Sequence, residues 1–290
     1  MMSMGKRVRG VLFCMLLAGR VVAVSQEMPE ETQLRSAAGG WSARKIAATG
    51  VVGGMLAGSL VSSYFDWWKG AGQSFHFVHE GFWQDYSLGI DKIGHAYTSC
   101  FYFHSFREIM LWGGYPEEQA FWWSAFTTAL FAVSIEIGDA FSPYGFSWED
   151  LTGNMMGLGY GMLQARIPLL ESISFKWSYI PTDGWRWPPH FTDHYDSHTY
   201  WLAFNMHRLL PESWGNIWPE FVQLAVGYSV DARQTRREIA LGLDFNLEAI
   251  RVGSSDVHLL QRIANNIHVP APAVKFTEHR EPQWYFFHLH

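Results

Sequence analysis

Cysteine is almost missing from this chain: its 290 residues hold only Cys14 and Cys100. Two thiols so placed exclude a disulfide framework and a cysteine zinc knuckle. Charge is thin as well. Asp, Glu, Lys and Arg make up 17% of the residues, the net charge is −6, and there is no long basic run. A nucleic-acid partner is therefore not expected, because nothing supplies the positive footprint that phosphates require. What the chain has in excess is aromatic surface: 17% Phe, Trp and Tyr, including 15 Trp. Trp and Tyr suit a membrane–water boundary, where one end of the side chain is apolar and the other wet. Membrane lipid is the expected partner.

The first residues read as an export signal, 1–25. Lys6, Arg7 and Arg9 precede a short apolar core ending near Gly19, and Ala23-Val-Ser25 offers a small-x-small cleavage site. Lipid attachment at Cys14 is not expected, because bulky Phe13 stands where a lipid-attachment box carries a small residue. Residues 26–44, with Glu27, Glu30 and Glu31, read as a solvated linker.

From 45 to 168 the pattern is helical and membrane-associated. The run Ile46–Phe65 is uncharged and long enough to cross a bilayer, although glycine and serine dilute it. Gly50, Gly54 and Gly58 recur every four residues and bare one helix face for close contact. An aromatic connector carrying His76, His79 and Glu80 follows. It suits interfacial packing better than metal binding, since no third ligand has a characteristic spacing. Three further helices are expected, at about Asp91–Trp112, Glu117–Asp139 and Ser147–Arg166. The last opens on a capping box of Ser147 and Asp150 and is bared by Gly153, Gly157 and Gly161.

Beyond Pro168 the period drops to two. Ser172–Ile180, Thr199–Met206, Phe221–Ser229 and Arg237–Glu248 alternate as strands, with weaker candidates at Ala273–Thr277 and Trp284–His290. The expected fold is α+β: a bundle of about four apolar, glycine-faced helices, then an antiparallel, aromatic-rich sheet of four to six strands over 169–290, packed on the helices.

Within the apolar helices sit charges that must be paired, hydrated or used. Asp91 and His95, four apart, share a helix face. Glu136 and Asp139 close the next helix, where the dipole disfavours negative charge, so Lys92 or Arg107 is expected to compensate them. Asp150 and Asn154 open the third. If the helices pack in sequence, these pairs meet at one end of the bundle. His95, Glu136 and Asp139 are the candidate catalytic residues, with Asp91, Lys92, Asp150 and Asn154 supporting them. A His among carboxylates suits acid–base catalysis or a divalent metal, and the sequence specifies no cofactor or metal. A buried network that holds three helices in register is the competing explanation. His194 and His198 make a metal pair only on a helix, and the pattern there is strand.

Asp91-Lys92-x-x-His95-Ala96, Glu136-x-x-Asp139, Gly145-Phe-Ser147 and Asp150-x-x-x-Asn154-x-x-Gly157 together resemble the YfiM-like predicted periplasmic lipoproteins, domain of unknown function 2279. The likeness continues through Lys176–Tyr179, His194–Leu202, Ala225–Tyr228 and Pro270–Pro272. A more distant likeness is to the VanZ-like membrane family. The resemblance implies an uncharacterised cell-envelope protein, at the outer membrane or facing the periplasm, and no established reaction. A lipid- or glycan-acting envelope enzyme is the alternative. A third reading makes the aromatics, Trp67 and Trp68 among them, a lipid-binding surface.

Overall fold

A computed structural model describes residues 41–181, 194–250 and 252–288. The expected signal and most of the linker lie outside them. Helix α1, Ala43–Ser63, begins two residues inside the expected linker, capped by Ser42, whose hydroxyl accepts from the Lys45 amide. It ends in one π turn, Tyr64–Trp68. Strand β1 (Phe77–Val78), α2 (Ile90–Trp112), α3 (Glu117–Ala140), β2 (Phe146–Ser147) and α4 (Trp148–Gln164) complete the helical half. A short α5 (Pro168–Glu171) leads into β3 (Ile173–Tyr179) and β4 (His198–Phe204). Then come two single-turn helices, α6 (Met206–Leu209) and α7 (Glu212–Gly215), β5 (Val222–Val230), β6 (Arg237–Phe245), α8 (Ser255–Ala264), β7 (Ala271–Thr277) and β8 (Gln283–His288). The fold is α+β, and all six expected strands are present, paired in sequence order as an antiparallel meander.

Helix α2 is the axis. Phe106, Ile109 and Met110 pack against Ala48 and Val52 of α1, Ala120 of α3 and Leu259 of α8. On its other side α4 lies so close that a Cβ at Gly157 would overlap the Ala96 carbonyl, and one at Gly153 would stand 2.8 Å from the Lys92 carbonyl. The glycine face of α4 is thus a true backbone contact. That of α1 is not: Gly50, Gly53, Gly54 and Gly58 have nothing within 4 Å of the space a Cβ would take. The expected close contact fails there because α1 turns Ala48 and Val52 inward instead.

Helix α8 was not expected from the sequence. It is short, and it docks on α2 through a 2.6 Å hydrogen bond from the Trp112 indole to Asp256. By length and composition alone, Ala43–Trp68 and Glu117–Ala140 can cross a membrane, and half of the most apolar window in the second is buried. On α3 exposed Trp122, Phe126, Leu130, Val133 and Ile137 form one line at steps of three and four, with exposed Trp123 beside it.

The sheet has its polarity inverted. On its concave side one cross-strand row reads Lys176, Trp201, Gly227, Ala240, Lys275 and Gln283. Lys176 and Asp244 are wholly buried and 2.5 Å apart; Lys176 also donates to the Phe245 carbonyl, and His268 lies 3.0 Å from Asp244 and stacks on Trp201. Buried charges are tolerable only when paired in this way. Residues 266–268, on the way to β7, fold back to bond the free edge of β3, so the sheet curls around this polar interior. The convex side is apolar. Leu202, Val226, Leu241, Val274 and Trp284 form one continuous row, and Phe204, Leu224 and Leu243 another. Tyr97 of α2 covers one corner, with ring centroids 5.4 Å from Phe175 and 5.6 Å from Tyr200. Much of the rest is open, with Leu241 46% and Trp284 83% exposed.

Candidate functional site

The N-terminus of α2 is set by the connector before it. Gly89 takes φ +83, and a Cβ there would sit 2.7 Å from the Trp83 ring, so the turn requires glycine. Asp85 accepts the Gly89 amide at 2.6 Å and the Ser87 hydroxyl at 2.7 Å; Ser87 in turn accepts the Asp91 amide. These caps aim Asp91, Lys92 and His95 at the start of α4. The parallel bridge of β1 on β2 carries the connector across that start, bringing His79 onto the buried Glu149.

Three carboxylates meet on Lys92. Its ammonium donates to Glu80 at 2.5 Å and to Asp91 at 2.9 Å, and pairs in charge with Asp150 at 2.5 Å. Burial disfavours that ammonium, but Asp91 and Asp150 outweigh it and hold Lys92 charged. Arg107, the other expected cation, pairs with Glu108 and Glu117 instead, near the opposite end of α2 from this centre. Neither cation pairs with Glu136 or Asp139. Those two carboxyls are managed differently. The Ser147 amide donates to Glu136 at 3.2 Å, so only half of the expected capping box forms: Ser147 accepts the Asp150 amide, while Asp150 turns to Lys92. Trp68 donates its indole N–H to Asp139 at 2.7 Å, its ring lying where a Cβ on Gly138 would collide. Trp68 is therefore committed to the centre and half-buried, not spread on the surface as the lipid-binding reading expected.

His95 stands at the middle. Its Nδ1 accepts from the Asn154 amide at 3.0 Å, and Ser99 donates to the other end of that amide at 2.8 Å. Nε2 is left 3.7 Å from Asp91 and 3.8 Å from Asp150, too far for a hydrogen bond to either. Burial opposes the imidazolium, yet the Asp91 and Asp150 charges outweigh it and raise the His95 pKa. In this arrangement protonating Nδ1 requires the Asn154 amide to turn over and Ser99 to become an acceptor. Asp91 also resists burial: His95 and Lys92 draw it below the usual carboxylate range, and Tyr195 donates to it at 3.0 Å. For Glu136 burial wins and pushes the carboxyl up to about 8. Asp139, softened by Trp68, is pushed by burial to about 6.

All seven residues expected from the sequence thus lie in one region, where the start of α2, the end of α3 and the start of α4 meet. Sequence reasoning missed Glu80, Asp85 and Tyr195. Glu80 carried a signal, a carboxylate beside two histidines in an apolar stretch, but its partner Lys92 is twelve residues on and only the folded connector joins them. Among the described residues, Asp91, His95 and Asp150 form the group able to hold a metal ion, with one ligand atom from each lying within 4.8 Å of the others. Their donor set suits a hard or borderline divalent cation.

Residues 79–166 match the family DUF2279, described as predicted periplasmic lipoprotein. The DUF2279 segment runs from the connector through the end of α4 and so takes in the whole centre except Trp68 and Tyr195. The family description agrees with a place in the cell envelope or periplasm and gives no function. No curated protein and no solved structure matches the chain.

Proposed function

We propose that this is a membrane-associated cell-envelope protein, at the outer membrane or its periplasmic face, whose centre performs acid–base chemistry. Its substrate is a neutral ester or glycosidic bond in a lipid- or glycan-linked molecule. Glu136 carries the reading. It is 1% exposed, its Oε1 has no hydrogen-bond partner, and its charged neighbours include His95 and Asp150. A network serving only to fix three helices would satisfy that atom, since an orphaned buried oxygen costs about 1–3 kcal/mol. Glu136, pushed to about 8, keeps its proton at neutral pH, whereas Asp139, at about 6, is mostly ionised. Two carboxyls whose environments push them apart make an acid and a base. His95, with Nε2 free of a hydrogen bond, is the proton carrier between them. Glu80, Asp85, Asp91 and Asp150 outnumber Lys92 and His95, so a bare phosphate is repelled and a neutral group is favoured.

The test uses the full chain in detergent against chromogenic acyl esters, glycosides and phosphate monoesters. Hydrolysis of a neutral class, lost in His95→Ala and Glu136→Gln while the melting temperature holds, supports the reading. Variants that only unfold, from a parent that turns over nothing, leave a scaffold.

A second reading is a divalent metal on Asp91, His95 and Asp150, favoured by their 4.8 Å grouping. Lys92, 2.5 Å from Asp150, already supplies a positive charge there and must move aside for it. Elemental analysis of the purified protein separates the two: a stoichiometric metal lost in Asp91→Asn supports this second reading, and its absence from metal-supplemented preparations removes it.

A further inference from the structure

The inverted sheet has no part in the centre's chemistry, and its polarity needs its own explanation. A sheet of a water-soluble domain buries its apolar face and wets its polar one. Here the concave face hides Lys176, Asp244, Glu238, Lys275 and His268, paired among themselves, while the convex face shows Leu, Val, Ile and Phe. Polar or small side chains inside, Trp201 excepted, and mostly large apolar ones outside, alternating along β3 to β7, is the pattern of strands whose outer solvent is hydrocarbon.

We propose that the open convex face of the sheet rests on lipid acyl chains, with the β5–β6 hairpin at the level of anionic headgroups. The two open rows, Leu202 to Trp284 and Phe204 to Leu243, include no charged or amide side chain. A protein interface of this extent carries a polar rim and a hydrogen bond for every 100–200 Å² or so. The rows offer no such groups. Charge collects instead beyond one end of them, where residues 231–237 of the hairpin hold Arg233, Arg236 and Arg237 against Asp231, with Arg237 also 3.7 Å from Glu278 of the adjoining turn. Basic groups beside an apolar face complement anionic headgroups above hydrocarbon. That end is also tied to the connector: Arg237 donates to the Trp83 carbonyl and Tyr228 to the Leu88 carbonyl at 2.6 Å. Exposed Phe77 and Trp148, stacked with ring centroids 6.3 Å apart, lie beside the same connector. The lipid contact therefore sets the polar centre near headgroup depth, although it stands whether or not the centre is catalytic.

Single nitroxide labels at Val226→Cys and Leu241→Cys, and at the hairpin position Arg233→Cys, test this in the full chain carrying Cys14→Ser, with Cys100 buried and unreactive. The protein is reconstituted in phosphatidylethanolamine–phosphatidylglycerol vesicles, and each variant is first checked for wild-type melting. Oxygen collisions exceeding nickel-chelate collisions at 226 and 241, with the reverse at 233, is the expected result. Two outcomes overturn it. Preferential nickel-chelate access at 226 and 241 means that water covers the face. Spin–spin coupling at these positions, lost on dilution with unlabelled protein, means that a second copy does. A further arm, Arg233→Glu with Arg236→Glu, should weaken flotation with these vesicles and not with neutral phosphatidylcholine; equal flotation with both removes the headgroup assignment.

Discussion

Glu136 is the residue at which stability and function pull apart. Its ordinary pKa is 4.5 and burial lifts it to about 8. Between those values the folded chain holds a proton there that the unfolded chain has released. Folding then takes up a proton, so this group's contribution is fully present below pH 4.5 and is lost as the pH climbs through 8. Asp139 acts in the same direction between 3.8 and about 6. Glu136→Gln keeps the shape and the acceptor for the Ser147 amide and removes the ionisation. It should match the parent near pH 5 and exceed it by about 4 kcal/mol at pH 9, roughly 1.4 kcal/mol for each pH unit between 5 and 8; urea titrations at both pH values measure this. A variant equally destabilised at both would show Glu136 to be a structural acceptor. Asn154→Asp asks the complementary question of His95. A carboxylate on Nδ1 can only accept, so the imidazolium gains a partner and its NMR titration should move upward. The seven residues of the centre could be found in the sequence because each is a charged or amide group set in apolar helix. Their pairing could not. The sequence pairs Asp150 with Ser147 by local spacing, while the fold offers the Ser147 amide to Glu136 and releases Asp150 to Lys92.

At the scale of elements, the two glycine-faced helices separate what a spacing pattern can and cannot say. Gly54 and Gly157 sit in the same four-residue repeat, yet only Gly157 faces backbone. Gly54→Ala adds a methyl into open space in mid-helix and should stabilise by about 0.5–1 kcal/mol through helix propensity. Gly157→Ala drives the same methyl into the Ala96 carbonyl and should cost about 1–3 kcal/mol, more if α2 and α4 cannot part. Thermal melts of the two variants in one detergent check the contrast, and equal shifts would deny the α2–α4 contact. The six strands were legible because a period of two is a local property. The sign of that period was not: alternation shows that two faces differ and leaves open which one is inside. Lys176 and Asp244 decide it, and they meet only across the curl of the sheet. Helix α8 escaped for a related reason, since its ten residues carry too short a pattern to stand out between strands.

For the whole molecule, the question is whether the helical half and the sheet fold as one. They share α2, and the seam is aromatic. Tyr97 packs on Phe175, Trp177 and Tyr200 and sends its hydroxyl to the Asn266 carbonyl at 2.9 Å, in the very segment that closes the sheet onto β3. About four turns further along α2, Trp112 fixes α8, which continues into that same segment. The sheet's closure is thus held from two points along one helix, and neither half completes its packing alone. Amide exchange should accordingly report one opening unit, with α2 and β4 releasing their slowest protons at the same free energy. Tyr97→Phe removes only the hydroxyl and should lower both by the same increment, about 1 kcal/mol for one buried hydrogen bond. Tyr97→Ala should lower both by about 3–5 kcal/mol, the range for emptying a large aromatic site. If the sheet loosens while α2 keeps its protection, the seam is a docking contact between two independent domains, and the headgroup depth of the polar centre can no longer be set by where the sheet sits in lipid.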